Sequence, residues 1–343
     1  MPTASRRRRS RATIVALGLA VGSAPEYRGS VQTIFLVGAT AVGKSAVALE
    51  LAKLIGAEIV SADSMQVYRG MDIGTAKPTK EERAVAPHYL IDVCEVDEPF
   101  DVKQFVDLTS ATLAEISSRG KTPLIVGGTG LYVRALRRGL FEGPSRNPKL
   151  RERLEKMTAA ELFDELQRVD PLTAKAIDRN NPRRLVRALE VFHETGKPIA
   201  GLQKEWKTAK VPQQARNDSF GICLDRLRED LYERIERRID EQIAAGWVEE
   251  VRQLLKRGLE KNPTAMQAAG YRELAAHLHG ELLLDEAVTL IKTRTRQLAK
   301  RQMTWFRREP QLDWIEIGRD EIPANTARRI HTIHKEREKD SVS

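Results

Sequence analysis

Cysteine is almost missing from this chain. Its 343 residues hold two, Cys94 and Cys223, which form no metal-ligand spacing, and a reduced compartment is the default reading. The six histidines are scattered, and neither HExxH nor CxxC occurs, so a structural zinc site is not expected. No apolar run spans a bilayer: residues 12–21 give about half of the ~20 residues a transmembrane helix needs. Internal repeats are lacking, as are low-complexity tracts outside an arginine-rich start. What remains is 41% hydrophobic and 31% charged, an ordinary soluble composition with a substantial core. The length suits two domains, or one large domain carrying an insertion.

The net charge of +9 is uneven, because residues 1–30 hold six arginines and one glutamate and leave only +4 for the rest. So mild an average does not announce nucleic acid; local clustering has to make that case. Arg6, Arg7, Arg8, Arg9 and Arg11 precede the apolar stretch 12–21 and then Gly22-Ser23-Ala24, the order of a signal peptide. A basic tail, or a reading frame begun too far upstream, is the alternative. It is preferred, because everything downstream reads as cytoplasmic phosphate chemistry.

One line of sequence fixes that chemistry. Gly38-Ala39-Thr40-Ala41-Val42-Gly43-Lys44-Ser45 follows the apolar run 34–37 and opens a helical stretch over 46–54. Strand, glycine-bounded loop and helix come in the order a phosphate cradle needs. Backbone N–H groups converge on phosphate oxygens, and the helix N-terminus adds partial positive charge. Lys44 supplies a point charge, and the Ser45 hydroxyl is placed to hold Mg2+. A di- or triphosphate is the implied ligand.

Further along, strands are expected at 58–61, 88–93, 123–126 and 220–224, with helices over 102–119 and from residue 131. Strands alternating with helices predict an α/β fold with a parallel sheet covered on both faces. The composition changes near Phe141, and 149–205 reads as almost wholly helical; residues 144–210 carry 15 Lys/Arg against 10 Asp/Glu. The expected organisation is therefore a basic extension over 1–30 and a catalytic core from 31–143 and 211–318. A helical insert occupies 144–210, and a charged tail 319–343.

Asp63 follows a predicted strand, where a carboxylate can accept a proton from a nucleophile or orient a metal-bound water; a helix-capping or turn role is the other reading. Asp92 also ends an apolar run, as a magnesium-assisting aspartate does. Gly127-Gly128-Thr129-Gly130 is a second strand-to-helix turn that lets a ligand approach closely, or simply a tight turn. Arg183 and Arg187 share one face of a helix starting at Pro182, with Leu185 and Val186 turned inward. That face suits an RNA backbone, or is only solvated. Arg234 and Arg238, one turn apart, suit a clamp on leaving phosphates. Trp305-Phe306 can stack a base or pack on the core.

Several strings in order resemble the tRNA dimethylallyltransferases, also called tRNA isopentenyltransferases. They are the phosphate loop, Asp63-Ser64, the run 70–78 containing MDIGTAKP, 127–132, Asn181-Pro182-Arg183-Arg184-Leu185, Gly270-Tyr271-Arg272, and TRQLAKRQ at 295–302. The likeness extends from about residue 31 to 314. It implies a phosphate-loop (P-loop NTPase-like) parallel-sheet core with an inserted α-helical tRNA-binding domain, in a monomeric cytoplasmic enzyme. The implied reaction moves a five-carbon group from dimethylallyl diphosphate to the exocyclic amine of adenosine 37, in tRNAs reading codons that start with U. Diphosphate leaves, and Mg2+ is the implied cofactor.

By the same resemblance Asp63, Thr40 and Arg238 are catalytic: Asp63 takes the amine's proton, while Thr40 and Arg238 grip the diphosphate. Gly38, Ala39, Thr40, Ala41, Val42, Gly43, Lys44 and Ser45 bind that diphosphate, Ser45 with Mg2+. The implied tRNA contacts are Asp63, Ser64, Met65, Gln66, Thr129, Arg151, Arg183, Arg184, Leu185, Val186, Arg187, Gln267, Ala268, Ala269, Gly270, Tyr271 and Arg272. Ala39 stands where the family commonly has proline, Val42 where serine is also found, and the string before Gly270-Tyr271 is looser than usual. A small-metabolite kinase, or a prenyltransferase acting on free adenine nucleotides, shares the phosphate loop. Neither gives the basic insert a purpose. A non-enzymatic RNA-binding module leaves Asp63 beside a complete phosphate loop unexplained.

Overall fold

A computed structural model describes residues 32–139, 143–144, 147–199, 201–202 and 219–340. The predicted extension over 1–30 lies outside the described residues. The chain divides into two compact units, Met1–Arg137 with Pro212–Ser343, and Arg138–Val211.

The larger unit is built on six strands: β1 (Ile34–Gly38), β2 (Glu58–Ser61), β3 (His88–Tyr89), β4 (Pro123–Gly127), β5 (Phe220–Asp225) and β6 (Asp313–Glu316). They lie in the order β3-β2-β4-β1-β5-β6, and every pair is parallel. β1, β2 and β4 are buried along their whole length, as continuous apolar runs covered on both faces require. The helices of this unit are α1 (Lys44–Ile55), α2 (Lys80–Val85), α3 (Val102–Ser118) and α4 (Gly130–Arg138). After the insert come α9 (Arg228–Ala244), α10 (Trp247–Lys256), α11 (Tyr271–Leu278), α12 (Leu284–Phe306) and α13 (Pro323–Asp340).

The strand order sets the layout of the strand-end turns. β4 lies between β2 and β1, so the turn after β4 separates the Asp63 turn from the phosphate loop. Two expectations change. The strand at 88–93 is only His88–Tyr89, because Leu90 and Asp92 take left-handed φ values of 61° and 58° that break the extended chain. The charged segment 319–343 carries α13, whose Ala327 and Ile330 are buried in the main core with Val47, Ala48 and Leu51 of α1.

The smaller unit holds α5 (Pro148–Glu155), α6 (Ala159–Val169), α7 (Pro171–Ala176) and α8 (Pro182–Thr195). Each start is written locally. Asn147, Thr158, Asp170 and Asn181 accept a backbone N–H at the four N-caps, and Pro148, Pro171 and Pro182 open three of the helices. Leu154, Leu162, Leu166, Leu185, Val186 and Leu189 form a core of its own.

Candidate active site

The phosphate loop runs from the end of β1 to the start of α1. Gly43 precedes α1 at φ 112°, a conformation that favours glycine, and no side chain caps the helix. Its first-turn N–H groups are therefore left for a ligand. The loop is braced from outside: Arg234 Nε donates to Ala41 O at 3.0 Å, and Arg226 Nε donates to Val42 O at 2.9 Å. The Thr40 N–H donates to Gln302 Oε1 at 2.8 Å.

Lys44 folds over the loop, donating to Gly38 O at 3.0 Å and to Ala39 O at 2.6 Å. Burial lowers its pKa to about 8; Arg238 pushes it the same way, and Asp63 opposes. Burial likewise depresses the pKa of Arg238, with Asp63 again the counterweight. Both cations are thus held in a desolvated recess short of negative charge. An incoming anion would supply it.

Asp63 divides its two oxygens. Oδ1 accepts from the Met65 N–H at 2.8 Å and, more weakly, from the Gln66 N–H at 3.4 Å. Oδ2 accepts no hydrogen bond among the described residues. The turn role thus occupies one oxygen of the carboxylate and leaves the other open. Beside it, the Ser64 N–H donates to Thr129 Oγ1 at 3.0 Å, which joins the turns after β2 and β4.

Two cavities meet here. One, of about 450 Å³, is lined by Lys44, Ser45, Arg234, Leu49, Ile59 and Val126. The other, of about 350 Å³, is lined by Ser64, Met65, Thr129, Gln267, Trp247 and Trp305. Thr40, Ala41, Asp63, Thr75, Gly128, Arg238 and Gln302 belong to both walls. A charged, partly apolar chamber and a more apolar one thus share a partition that carries the three predicted catalytic residues. Such a layout can bring two different ligands head to head.

Several other predicted residues are also tied into the fold. Gln66 spends both ends of its amide on the fold, accepting from Ser61 Oγ at 2.9 Å and donating toward Thr75 O and Ala76 O. Arg234 braces the loop backbone through Nε and lines the first cavity, and its Nη groups make no hydrogen bond among the described residues. Asp92 is held by Lys77 at 2.7 Å and by Arg83 at 3.1 Å, which excludes the metal-assisting role. Tyr271 is fully buried, edge-on to Trp247, and its hydroxyl donates to Glu250 at 2.7 Å. Ala268, Ala269 and Gln267 line the second cavity, Gly270 is buried against Trp247, and Arg272 is exposed.

In the smaller unit Leu185 and Val186 are 0% and 3% exposed, so their side chains belong to its core and cannot touch RNA. Arg187 pairs with the buried Glu190 at 2.9 Å, and Arg151 pairs with Glu155 at 3.1 Å. Arg183 and Arg184 are exposed.

Among the wall residues that carried no individual expectation are Gln302 and Trp247, and Glu250 stands behind the wall. Gln302 was visible only inside the TRQLAKRQ string. Glu250 accepts the N–H groups of Asp72 and Ile73 at 2.9 and 2.6 Å, fixing the loop that faces the cavities.

The residues fit a magnesium ion that arrives with a phosphate. The Ser45 hydroxyl lines the first cavity and makes no hydrogen bond among the described residues. Those residues contain no cluster of three or more His, Cys, Asp or Glu side chains able to hold a metal. Mg2+ commonly takes one or two protein ligands and completes its shell with water and phosphate.

Comparison with known proteins agrees with this geometry. A family model described as IPP transferase matches residues 66–309. The chain is 46% identical over 307 residues to tRNA dimethylallyltransferase 1 of Trichlorobacter lovleyi, covering 88% of this chain and 96% of that one. It is 49% identical over 287 residues to the tRNA dimethylallyltransferase of Geobacter metallireducens, with 82% and 92% covered. Among solved structures, the full-length tRNA isopentenylpyrophosphate transferase of Bacillus halodurans superposes with a TM-score of 0.66 at 37% identity, covering 91% of this chain and all of that one. A eukaryotic dimethylallyltransferase acting on tRNA gives 0.71 at 27% identity, with 84% and 74% covered. With a phosphate loop, a crevice aspartate and a match across most of its length, this chain belongs to the IPP transferase family and is an enzyme of that family.

Proposed function

We propose that this enzyme transfers a dimethylallyl group from dimethylallyl diphosphate to the exocyclic amine of adenosine 37 in tRNAs reading codons that begin with U. It releases diphosphate, and it acts as a monomer in the cytoplasm. The observation that carries this reading is the shared partition: Thr40, Asp63 and Arg238 stand between a cationic chamber and a second, more apolar one.

The diphosphate lies across the loop at 38–45, and Lys44 exchanges the Gly38 and Ala39 carbonyls for its oxygens. The first carbon of the prenyl group turns toward the partition. From the second chamber the adenine amine attacks that carbon. The new N–C bond forms as the C–O bond breaks, and the electron pair leaves on the diphosphate. The amine's proton passes to Asp63, whose Oδ1 is fixed by backbone and whose Oδ2 is available. Arg238 and Thr40 meet the growing negative charge in a desolvated recess, where one preorganised contact contributes about 3–4 kcal/mol. When bound at Ser45, Mg2+ adds charge neutralisation to the diphosphate.

The adenine must leave its stack to reach such a site, as base-modifying enzymes require. Arg183 and Arg184, exposed on the smaller unit, suit phosphates of the anticodon stem. Purified enzyme with labelled dimethylallyl diphosphate and an anticodon stem-loop carrying adenosine 37 should yield labelled RNA and free diphosphate. ATP consumption with a small acceptor, and no labelled RNA, would replace this reading with a kinase.

A further inference from the structure

We propose that Gln302 is a positioning residue that holds the diphosphate loop and the turn after β4 in fixed register, and so sets the separation of Thr40 from Asp63. The inference rests on the transfer reaction proposed above. Gln302 projects from α12 into the partition and uses both ends of one planar group. Its Oε1 accepts from the Thr40 N–H at 2.8 Å, and its Nε2 donates to Gly128 O at 2.9 Å. These partners belong to separate loops, and the carboxamide offers an acceptor to one and a donor to the other.

Gly128 makes the contact possible. A Cβ there would sit 2.4 Å from Gln302 Nε2 and 3.3 Å from Gly38 O, so any side chain would force the amide away. Thr129 follows directly, and its Oγ1 receives the Ser64 N–H at 3.0 Å, next to Asp63. An unbroken path of hydrogen bonds and peptide bonds therefore runs from Thr40, at the leaving group, to Asp63, at the proton. The Thr40 N–H goes to Gln302, so α12 places this part of the loop. Loosening the path misaligns the reacting atoms while leaving either substrate able to bind. A misplacement of ~1 Å in such an arrangement costs on the order of 100-fold in rate.

The test compares wild type, Gln302→Met, Gln302→Glu and Gly128→Ala. Met matches the length and lacks both polar ends; Glu keeps the acceptor for Thr40 and sets an oxygen against Gly128 O. The expected kcat for transfer to an anticodon stem-loop falls about 10- to 100-fold in each variant. The Kd for dimethylallyl diphosphate by calorimetry and the KM for RNA stay within about threefold. Gln302→Met combined with Gly128→Ala should cost little more than either alone, since both cut one path. If Gln302→Met does not fold, Gln302→Glu carries the comparison. A kcat within about twofold of wild type, losses that multiply, or losses confined to KM would each overturn the role of Gln302 while wild-type transfer stands. Failure of the wild type to transfer at all removes the reaction and this inference with it.

Discussion

Raising the pH from 7 to 9 should weaken the donor through a single side chain, Lys44. In the free protein its pKa is depressed to about 8, mainly by burial and secondly by Arg238. A bound diphosphate brings negative charge to the ammonium and raises that pKa, so binding favours the protonated form. Affinity is therefore full below about pH 8 and lost as the pH rises through it. With a pKa of about 8, roughly nine-tenths of the free protein carries the ammonium at pH 7 and roughly one-tenth at pH 9. If the bound form stays protonated across that range, the Kd for dimethylallyl diphosphate should rise about tenfold between the two, or about 1.4 kcal/mol. Calorimetry in two buffers of different ionisation enthalpy should show net proton uptake that passes through about half a proton near pH 8 and rises toward pH 9. Lys44→Met, binding more weakly throughout, should lose that dependence and isolate any ionisation of the ligand itself. A wild-type Kd that is flat from pH 7 to 9, or that tracks Lys44→Met, would refute the reasoning.

Asp63→Asn keeps the oxygen that accepts from the Met65 N–H while removing the base, so single-turnover transfer should fall about 10²- to 10⁴-fold. Donor affinity should hold or tighten, and near-normal turnover would remove Asp63 from the proton role. Arg183→Ala with Arg184→Ala should raise the KM for tRNA and flatten its salt dependence by roughly one unit of log–log slope per lost phosphate contact; an unchanged slope would mean that both are merely solvated. Arg187 is a poor choice for that experiment, because its loss strands the buried Glu190. Gly74→Ala would set a Cβ 2.2 Å from Trp247 Nε1, and the overpacking should cost about 1–3 kcal/mol, read as a lower melting temperature.

Local chemistry was legible in the sequence wherever neighbours in the chain also act together. The phosphate loop, its strand and its helix stand where the spacing placed them, and the N-caps of the smaller unit follow from Asn, Thr and Asp at its helix starts. Asp63 was identifiable because strand ends share one crevice. What escaped depends on distance along the chain. That β4 lies between β1 and β2 is a matter of sheet order, which no local pattern encodes. Gln66 and Arg234 are read as contacts and both line the first cavity, but their bonds to carbonyls of other loops, one of them 193 residues away, are not visible in the sequence. The helical period turns Leu185 and Val186 inward, as their burial bears out, and only the family resemblance places them among the RNA contacts. The segment beyond residue 318 misled for the opposite reason. Its apolar stripe, Ala327, Ile330 and Ile333, is thin among charges, so a packed helix resembled a solvated tail.

That last helix has a consequence for handling the enzyme. Pro323–Asp340 lies along Lys44–Ile55, the element whose opening turn receives the ligand's charge. Shortening the chain ahead of residue 323 would bare the apolar strip around Val47 and Leu51 and leave that receptor supported from fewer sides. Damage done beyond residue 323 would then register as weakened grip on a small anion, with every residue that touches the anion still in place.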